Sequence, residues 1–562
     1  DVYLEVASPV SIVRTNVIPM DLNGKFETTA ILLNKKSSSS TVTASIKVYE
    51  ASINQNNIQS EFAKEIIGNE VSVTGTVQNT IVVDNQNTAV WKTDLTLTNP
   101  KLWNPKQPNL YVAKITITEN GNVVDEYYTQ FGIRIVGTTK GKFTLNDRIM
   151  FLPGVARHEE HPLYGRSVPK DIIFSDLNTV KGLNAIYLRT AHYPNHPYTY
   201  LIADRLGLAI MEEIPVYWFD TPESFNIQNN LRHIHQQMFR EMVFKDYNRP
   251  SVIMWSTSNE CKEEAGRLDY HNVIKQDYKT NYNDGRLLTQ SAAADRPGPI
   301  DPTMSPLDVA GWTMYFGIFH KFNAPSPRLE EAFGGTFAFL NNAKTANHDK
   351  PIIATEFGYW SSENGSTTNE QSNLLTQTFN AFKLHTPYNI YGDANPNGFL
   401  MGATWWCVFD WYQYKSNGYQ TMGLISMDRQ TEKPVAANLR STYLPYASKD
   451  GLSVSVEENQ TEKLPTEFRL EQNYPNPFNP GTTIQYTIPS VETRRGESLQ
   501  HVILKVYDML GREVATLVNE VQPAGIHHSP FSILHSELPS GIYFYKLTTD
   551  KYSLTKKMLL LK

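Results

Sequence analysis

Cysteine is nearly absent: two residues, Cys261 and Cys407, in a chain of 562. That excludes a disulfide framework and leaves the redox compartment open. No apolar run approaches the roughly 20 residues of a membrane-spanning helix. No basic stripe occurs and the net charge is -6, so neither nucleic acid nor an anionic membrane surface is an expected partner. No glycine-rich phosphate loop follows an early strand, which weighs against an open doubly wound sheet. The first residue is Asp1, with neither Met nor a basic-then-apolar leader, and the chain reads as a mature form or a fragment.

What is present is aromatic and β-rich. Apolar residues make up 40% of the chain and aromatics 11%, including 30 Tyr and 9 Trp. Flat apolar faces stack on sugar rings, although tyrosine-rich strands use the same residues. At about 150 residues per domain, with allowance for a large barrel, three domains are expected. Residues 1–137 predict an immunoglobulin-like β-sandwich, with runs at 42–48, 71–77, 92–97 and 110–118 separated by Asn, Gly and Pro turns.

From about 138 to 446 apolar runs alternate with helical stretches. The runs lie at 149–155, 185–189, 208–212, 252–256, 287–291, 309–315, 352–356 and 400–406, and helices are expected at 175–182, 197–205, 230–245 and 370–384. Eight strand–helix units over roughly 300 residues predict a (β/α)8 TIM barrel. Residues 447–466, polar and rich in Glu, Lys and Ser, read as a linker. Residues 467–562 return to strands and predict a small C-terminal β-sandwich.

Two glutamates end apolar barrel runs: Glu260 closes Ser251-Val-Ile-Met-Trp-Ser-Thr-Ser-Asn-Glu260, and Glu356 closes Pro351-Ile-Ile-Ala-Thr-Glu356. A carboxylate beside a buried strand needs partners or a task, and catalytic groups of TIM barrels sit at the C-terminal strand ends. Arg189, Glu212, Asn259, Tyr315 and Trp406 fall at such ends too. Paired carboxylates are the working parts of a glycosidase. A purely structural salt bridge for each glutamate stays open on spacing alone.

The motifs Asp1-Val-Tyr-Leu4, Phe131-Gly-Ile-Arg134, Gly154-Val-Ala-Arg-His158-Glu-Glu-His-Pro162, His192-Tyr-Pro194, Trp255-Ser-Thr-Ser-Asn-Glu260 and Thr355-Glu-Phe-Gly358 resemble glycoside hydrolase family 2, in family order, over residues 1 to about 445. The resemblance implies a retaining, exo-acting β-glycosidase with Glu260 as acid/base and Glu356 as nucleophile. It implies that Asn259 bonds the sugar 2-hydroxyl, Arg189 braces the nucleophile, His158 and His192 line the sugar pocket, Tyr315 donates to Glu356, and Trp406 is the stacking floor with Asp410 nearby. His158 as a satisfied histidine behind the pocket, and Trp405 in place of Trp406, remain alternatives. Cys261 and Cys407 read as buried free thiols, since a retaining scheme gives them no role.

Departures from the family pattern are informative. Thr313 stands where relatives often have Asn. Gln420-Thr-Met-Gly423 stands where glucuronidases carry a cation for the sugar carboxylate, so a β-galactoside is ranked above a β-glucuronide. Glu212-Glu-Ile-Pro-Val-Tyr-Trp218 lacks the histidine of a magnesium site, and neither a catalytic metal nor a cofactor is expected. The jelly-roll domain that usually precedes the Asp1 stretch is expected to be missing. Loops 217–226 and 361–370 are expected to shape the pocket for an oligosaccharide or polysaccharide.

The string Leu470-Glu-Gln-Asn-Tyr-Pro-Asn-Pro-Phe-Asn-Pro480-Gly-Thr-Thr-Ile-Gln-Tyr486, with Val506-Tyr-Asp-Met-Leu-Gly-Arg512 and Lys556-Lys-Met-Leu-Leu-Leu-Lys562, resembles the sorting domain of type IX secretion. That implies contact with the type IX machinery and a secreted or outer-surface location in a Bacteroidetes-like bacterium. A generic immunoglobulin-like or carbohydrate-binding module is the alternative. A non-catalytic glycan-binding protein on a decayed enzyme scaffold is the rival function. Homo-oligomerisation stays open.

Overall fold

The computed structural model describes residues 6–320, 329–363, 366–413, 418–454, 467–474, 476–478, 481–489, 499–523, 525–532 and 538–561. The Asp1-Val-Tyr-Leu4 stretch lies outside them, as do residues 455–466 of the expected linker.

The first layer is a two-sheet sandwich. One sheet joins Val10–Pro19, Lys25–Asn34, Asn87–Leu97 and Val73–Gly75; the other is built on Ser40–Ala51 and Tyr111–Glu119. Strict alternation, as in Lys25–Asn34, sends Phe26, Thr28, Ala30 and Leu32 into the space between the sheets. The run expected at 71–77 is not one strand. Ile67–Val71 pairs with Ser40–Ala51, and Val73–Gly75 pairs with Asn87–Leu97 in the opposite sheet. The chain changes sheets between them, which a continuous β-rich run does not announce. Gln130 ties this layer to the barrel, donating to Asp204 Oδ2 at 2.8 Å and accepting from Arg205 Nε at 3.0 Å.

The second layer is a closed parallel barrel of eight strands: β1 (Leu152–Arg157), β2 (Tyr187–Thr190), β3 (Ala209–Glu213), β4 (Val252–Asn259), β5 (Leu287–Ala293), β6 (Ala310–Thr313), β7 (Ile352–Phe357) and β8 (Leu400–Trp405). Each expected run overlaps one of them, and most of the strands extend past the run's C-terminal end. Both faces of every strand are buried, so the strands read as apolar runs without clean alternation. Leu152, Tyr187, Met211, Met254, Ile353 and Met401 pack together at the bottom of the barrel with Phe143 and Leu145 from the preceding hairpin. Gly154 is required there, because a Cβ would run into the ring of Tyr187 on the next strand.

The four expected helices correspond to Lys170–Gly182, Pro197–Leu206, Ile234–Asp246 and Thr368–Lys383, and Ala265–Asn281, Glu331–Ala346 and Pro434–Ala447 complete the long ones. Thr367 and Glu370 form a reciprocal cap at the start of Thr368–Lys383. After β5 there is only a one-turn helix, Pro302–Met304. The start of the expected linker is ordered: Leu452–Ser453 pairs with Arg148–Ile149 beneath the barrel.

The last layer packs Gly481–Ile488 with Gly525–Ser532, and Leu499–Tyr507 between Glu513–Pro523 and Gly541–Thr548, with Ser553–Leu560 on the edge. The strand Gly525–Ser532 was not foreseen; its sequence GIHHSPFS carries Pro530 and polar residues that argue against a strand. This layer has its own core around Ile484, Tyr486, Leu504, Val506, Tyr545 and Leu560.

Candidate active site

A cleft of about 1530 Å³ opens at the C-terminal ends of the barrel strands, lined among others by His158, His192, Asn259, Glu260, Tyr315, Glu356 and Trp406. That exceeds the roughly 300–1,000 Å³ of a typical small-ligand pocket. The parallel barrel delivers these side chains because all eight strands end on one face.

Glu356 sits at the bottom, 4% exposed. Its Oε1 accepts from Arg189 Nη1 at 2.5 Å and its Oε2 from the Tyr315 hydroxyl at 2.6 Å. Burial pushes this carboxyl above its ordinary value; Arg189 pulls it down, Glu260 raises it, and His192 and Tyr315 lower it. Two strong donors, one on each oxygen, are the partners an ionised carboxylate needs in a dry site. The same burial, with the Glu356 charge close by, drives the Tyr315 phenol well above its usual range and keeps it a donor.

Arg189 is fully buried and serves two carboxylates. Besides Glu356 it donates to Glu213, from Nε at 3.2 Å and Nη2 at 2.9 Å, and Nη2 also reaches Asn259 Oδ1 at 2.8 Å. Holding Asn259 by its oxygen leaves the amide's Nδ2 end for the cleft. Burial opposes ionisation of Glu213, yet Arg189, His192 and Ser256 outweigh it and hold the carboxyl below its ordinary range. His192 Nδ1 lies 2.9 Å from Glu213 Oε1, and its ring stacks on Trp406 at 5.0 Å.

Glu260 stands beyond the end of β4, where Glu260 itself has φ 48°. Its amide donates to Ser291 O at 2.7 Å. Thr313 Oγ1 donates to Oε1 at 2.7 Å and Trp218 Nε1 to Oε2 at 3.1 Å. His158 is half-buried, edge-on to Trp406 and stacked on Trp411 at 5.5 Å, and desolvation drives its imidazole well below its usual value. Its Nδ1 has no partner among the described residues. Trp406, rather than Trp405, faces the cleft; Trp405 points outward, with Nε1 on Met422 O.

Asp410 does not line the cleft. It lies half-buried behind it, accepting from Lys433 Nζ at 2.6 Å and from the Gly423 amide at 2.9 Å. It therefore fixes the wall that carries Gln420 and Met422, both of which do line the cleft. Glu212, one residue short of the true end of β3, points outward to Lys245 Nζ at 3.2 Å; Glu213 takes the inward place. A slip of one residue exchanges the two faces of a strand. Besides Glu213, the sequence did not single out Trp218, Trp411 and His320 as site residues, and it marked Thr313 only as a departure from the family pattern. For Glu213 the strand's alternation carried the signal, and for Trp218 the expectation that loop 217–226 shapes the pocket; for Trp411 and His320 none existed. Cys261 and Cys407 are free and buried. No cluster of three or more His, Cys, Asp or Glu able to hold a metal occurs among the described residues.

Residues 136–447 match the TIM barrel domain of glycosyl hydrolases family 2, and residues 13–134 match a second family 2 domain. The chain belongs to glycosyl hydrolase family 2. Residues 472–561 match the secretion system C-terminal sorting domain, which marks this family 2 chain for the cell surface or exterior. A β-glucuronidase of Streptococcus agalactiae serotype V is 30% identical over 298 residues, 49% of this chain and 48% of that protein. A β-galactosidase of Psychromonas ingrahamii is 34% identical over 181 residues, 32% of this chain and 17% of that one. The chain spans half or less of the length of these curated relatives. The solved family 2 β-galacturonidase of Eisenbergiella tayi bound to glycerol superposes with a TM-score of 0.64 at 17% identity, covering 79% of this chain and 73% of that one. At that identity the likeness shows the fold.

Proposed function

We propose that this protein is a retaining, exo-acting β-glycosidase that hydrolyses terminal β-galactosides of oligosaccharides or polysaccharides, and that the type IX machinery exports the enzyme to reach them. The observation that carries it is Glu356: a buried carboxyl at the cleft floor, with Arg189 on one oxygen and Tyr315 on the other, in the same cleft as Glu260. In the proposed first step Glu356 attacks the anomeric carbon while Glu260 protonates the departing oxygen. Water then displaces Glu356 as Glu260 takes the water's proton back. The Nδ2 end of Asn259 meets the 2-hydroxyl, where hydrogen bonds strengthen in the transition state. Trp406 offers the sugar a flat face.

The neutral sugar is supported by the cations around the cleft. Arg166 faces Glu160 at 3.3 Å, Arg296 faces Asp295 at 2.9 Å, and Lys433 behind the wall is committed to Asp410. A uronate carboxylate held there would lack an uncommitted partner among the described residues, and burying it is expensive. β-Glucuronide hydrolysis is the second reading, because relatives with that name match the chain. Nitrophenyl β-glycosides of galactose, glucuronic acid, glucose and N-acetylglucosamine separate them. The galactoside should give the highest kcat/KM; a dominant glucuronide would correct the sugar, and no turnover on any would overturn the enzyme.

A further inference from the structure

Both oxygens of Glu260 are occupied by side-chain donors. Thr313 is the last residue of β6 and fully buried, with Oγ1 2.7 Å from Glu260 Oε1. Trp218 is 54% exposed, with Nε1 3.1 Å from Oε2. Its backbone amide donates to Asn259 O at 3.0 Å, and the Asn259 amide donates to Val216 O at 2.8 Å. The loop after β3 is thus zipped onto the end of β4, beside Glu260.

Resting on the retaining reading above, we propose that Thr313 and Trp218 are positioning residues for the proton transfers of Glu260. They aim the carboxyl and stabilise the carboxylate that remains once its proton has left. In the first half-reaction the C1–O bond breaks, its electron pair stays on the leaving oxygen, and that oxygen takes the proton from Glu260 as Glu356 bonds to C1. Glu260 is then ionised, and both its oxygens accept. In the second half-reaction water bonds to C1, its proton goes to Glu260, and the electron pair of the C1–Glu356 bond returns to Glu356. A hydroxyl donates to a carboxylate or accepts from a carboxylic acid, so Thr313 serves both states. An indole N–H only donates, so Trp218 favours the ionised one.

The test is a leaving-group series, because only poor leaving groups need the proton. kcat/KM is measured for wild type, T313V, T313S and W218F on aryl β-galactosides from dinitrophenyl to phenyl, or on the same series of whichever sugar the wild type prefers. T313V and W218F should each lose about tenfold or more on phenyl glycosides and less than about twofold on dinitrophenyl ones. T313S should recover most of the T313V loss. Losses equal across the series, or absent throughout, would overturn the proposal and leave the glycosidase reading standing. A wild type inert on every aryl glycoside would overturn both. Should T313V fail to fold, the exposed Trp218 carries the test.

Discussion

Arg189 on β2 and Glu356 on β7 meet across the barrel, with Nη1 donating to Oε1 at 2.5 Å and neither side chain more than 5% exposed. The pair is one limb of a larger knot, since Glu213 takes the other side of the guanidinium. The knot explains how a carboxyl as buried as Glu356 can work as an anion: its charge is met before substrate arrives, by groups that the barrel has already fixed.

Replacing Glu356 with Gln removes the attacking oxygen and keeps the shape. Turnover should fall by ~10³-fold or more, as expected for loss of a nucleophile. Steady-state rates on the preferred nitrophenyl glycoside check this. Substantial residual activity would contradict the assignment.

The same variant should show an inverted stability effect. The folded-state value of Glu356 is raised, chiefly by burial. A raised carboxyl contributes stability at low pH and loses it as pH rises through the folded value. Gln avoids that ionisation, so E356Q should be at least as stable as wild type near neutrality, with its advantage shrinking as the pH falls toward the ordinary carboxylate value of about 4.3. Melting curves of both proteins across this range test the sign.

Glu213 has the opposite sign. It is held below its ordinary range, so its contribution is present above the unfolded value and lost as pH falls through the folded one. Glu213→Ala leaves Arg189 with Glu356 alone and should destabilise by about 3–5 kcal/mol, the usual effect of removing one partner of a buried pair. A melting temperature unchanged at pH 7 would show that the knot is slack.

Glu260→Ala should lower kcat/KM on poor leaving groups by about 10²–10⁴-fold and spare good ones. On activated substrates the missing base slows release of the glycosyl enzyme and so lowers kcat while kcat/KM is spared; added azide should raise that kcat, because a small anion can occupy the vacated space and attack the glycosyl enzyme. Equal losses on both substrate types would argue against an acid role.

Much of this was legible in the sequence for physical reasons. Barrel strands buried on both faces stand out as apolar runs, and TIM-barrel geometry then gathers their ends, so Arg189, Asn259, Glu260, Tyr315 and Glu356 could be placed together before any coordinates. Parity was the weak point. Ending β3 one residue early put Glu212 forward and hid Glu213, which points into the knot. Asp410 failed differently: it follows β8 closely, but the Lys433 pairing that draws it behind the wall spans 23 residues. Trp218 reaches Glu260 only because its loop zips onto β4, a contact that no periodicity encodes. The sheet change near 72 and the strand through Pro530 were hidden because local propensity cannot name a partner strand.

The most direct measurement is trapping with a 2-deoxy-2-fluoro β-galactosyl fluoride, followed by peptide mass spectrometry, since the fluorine slows release of the glycosyl enzyme. The account predicts one covalent adduct, on the peptide containing Glu356 and on that residue. An adduct on Glu260, or turnover with inversion and no adduct, would contradict it.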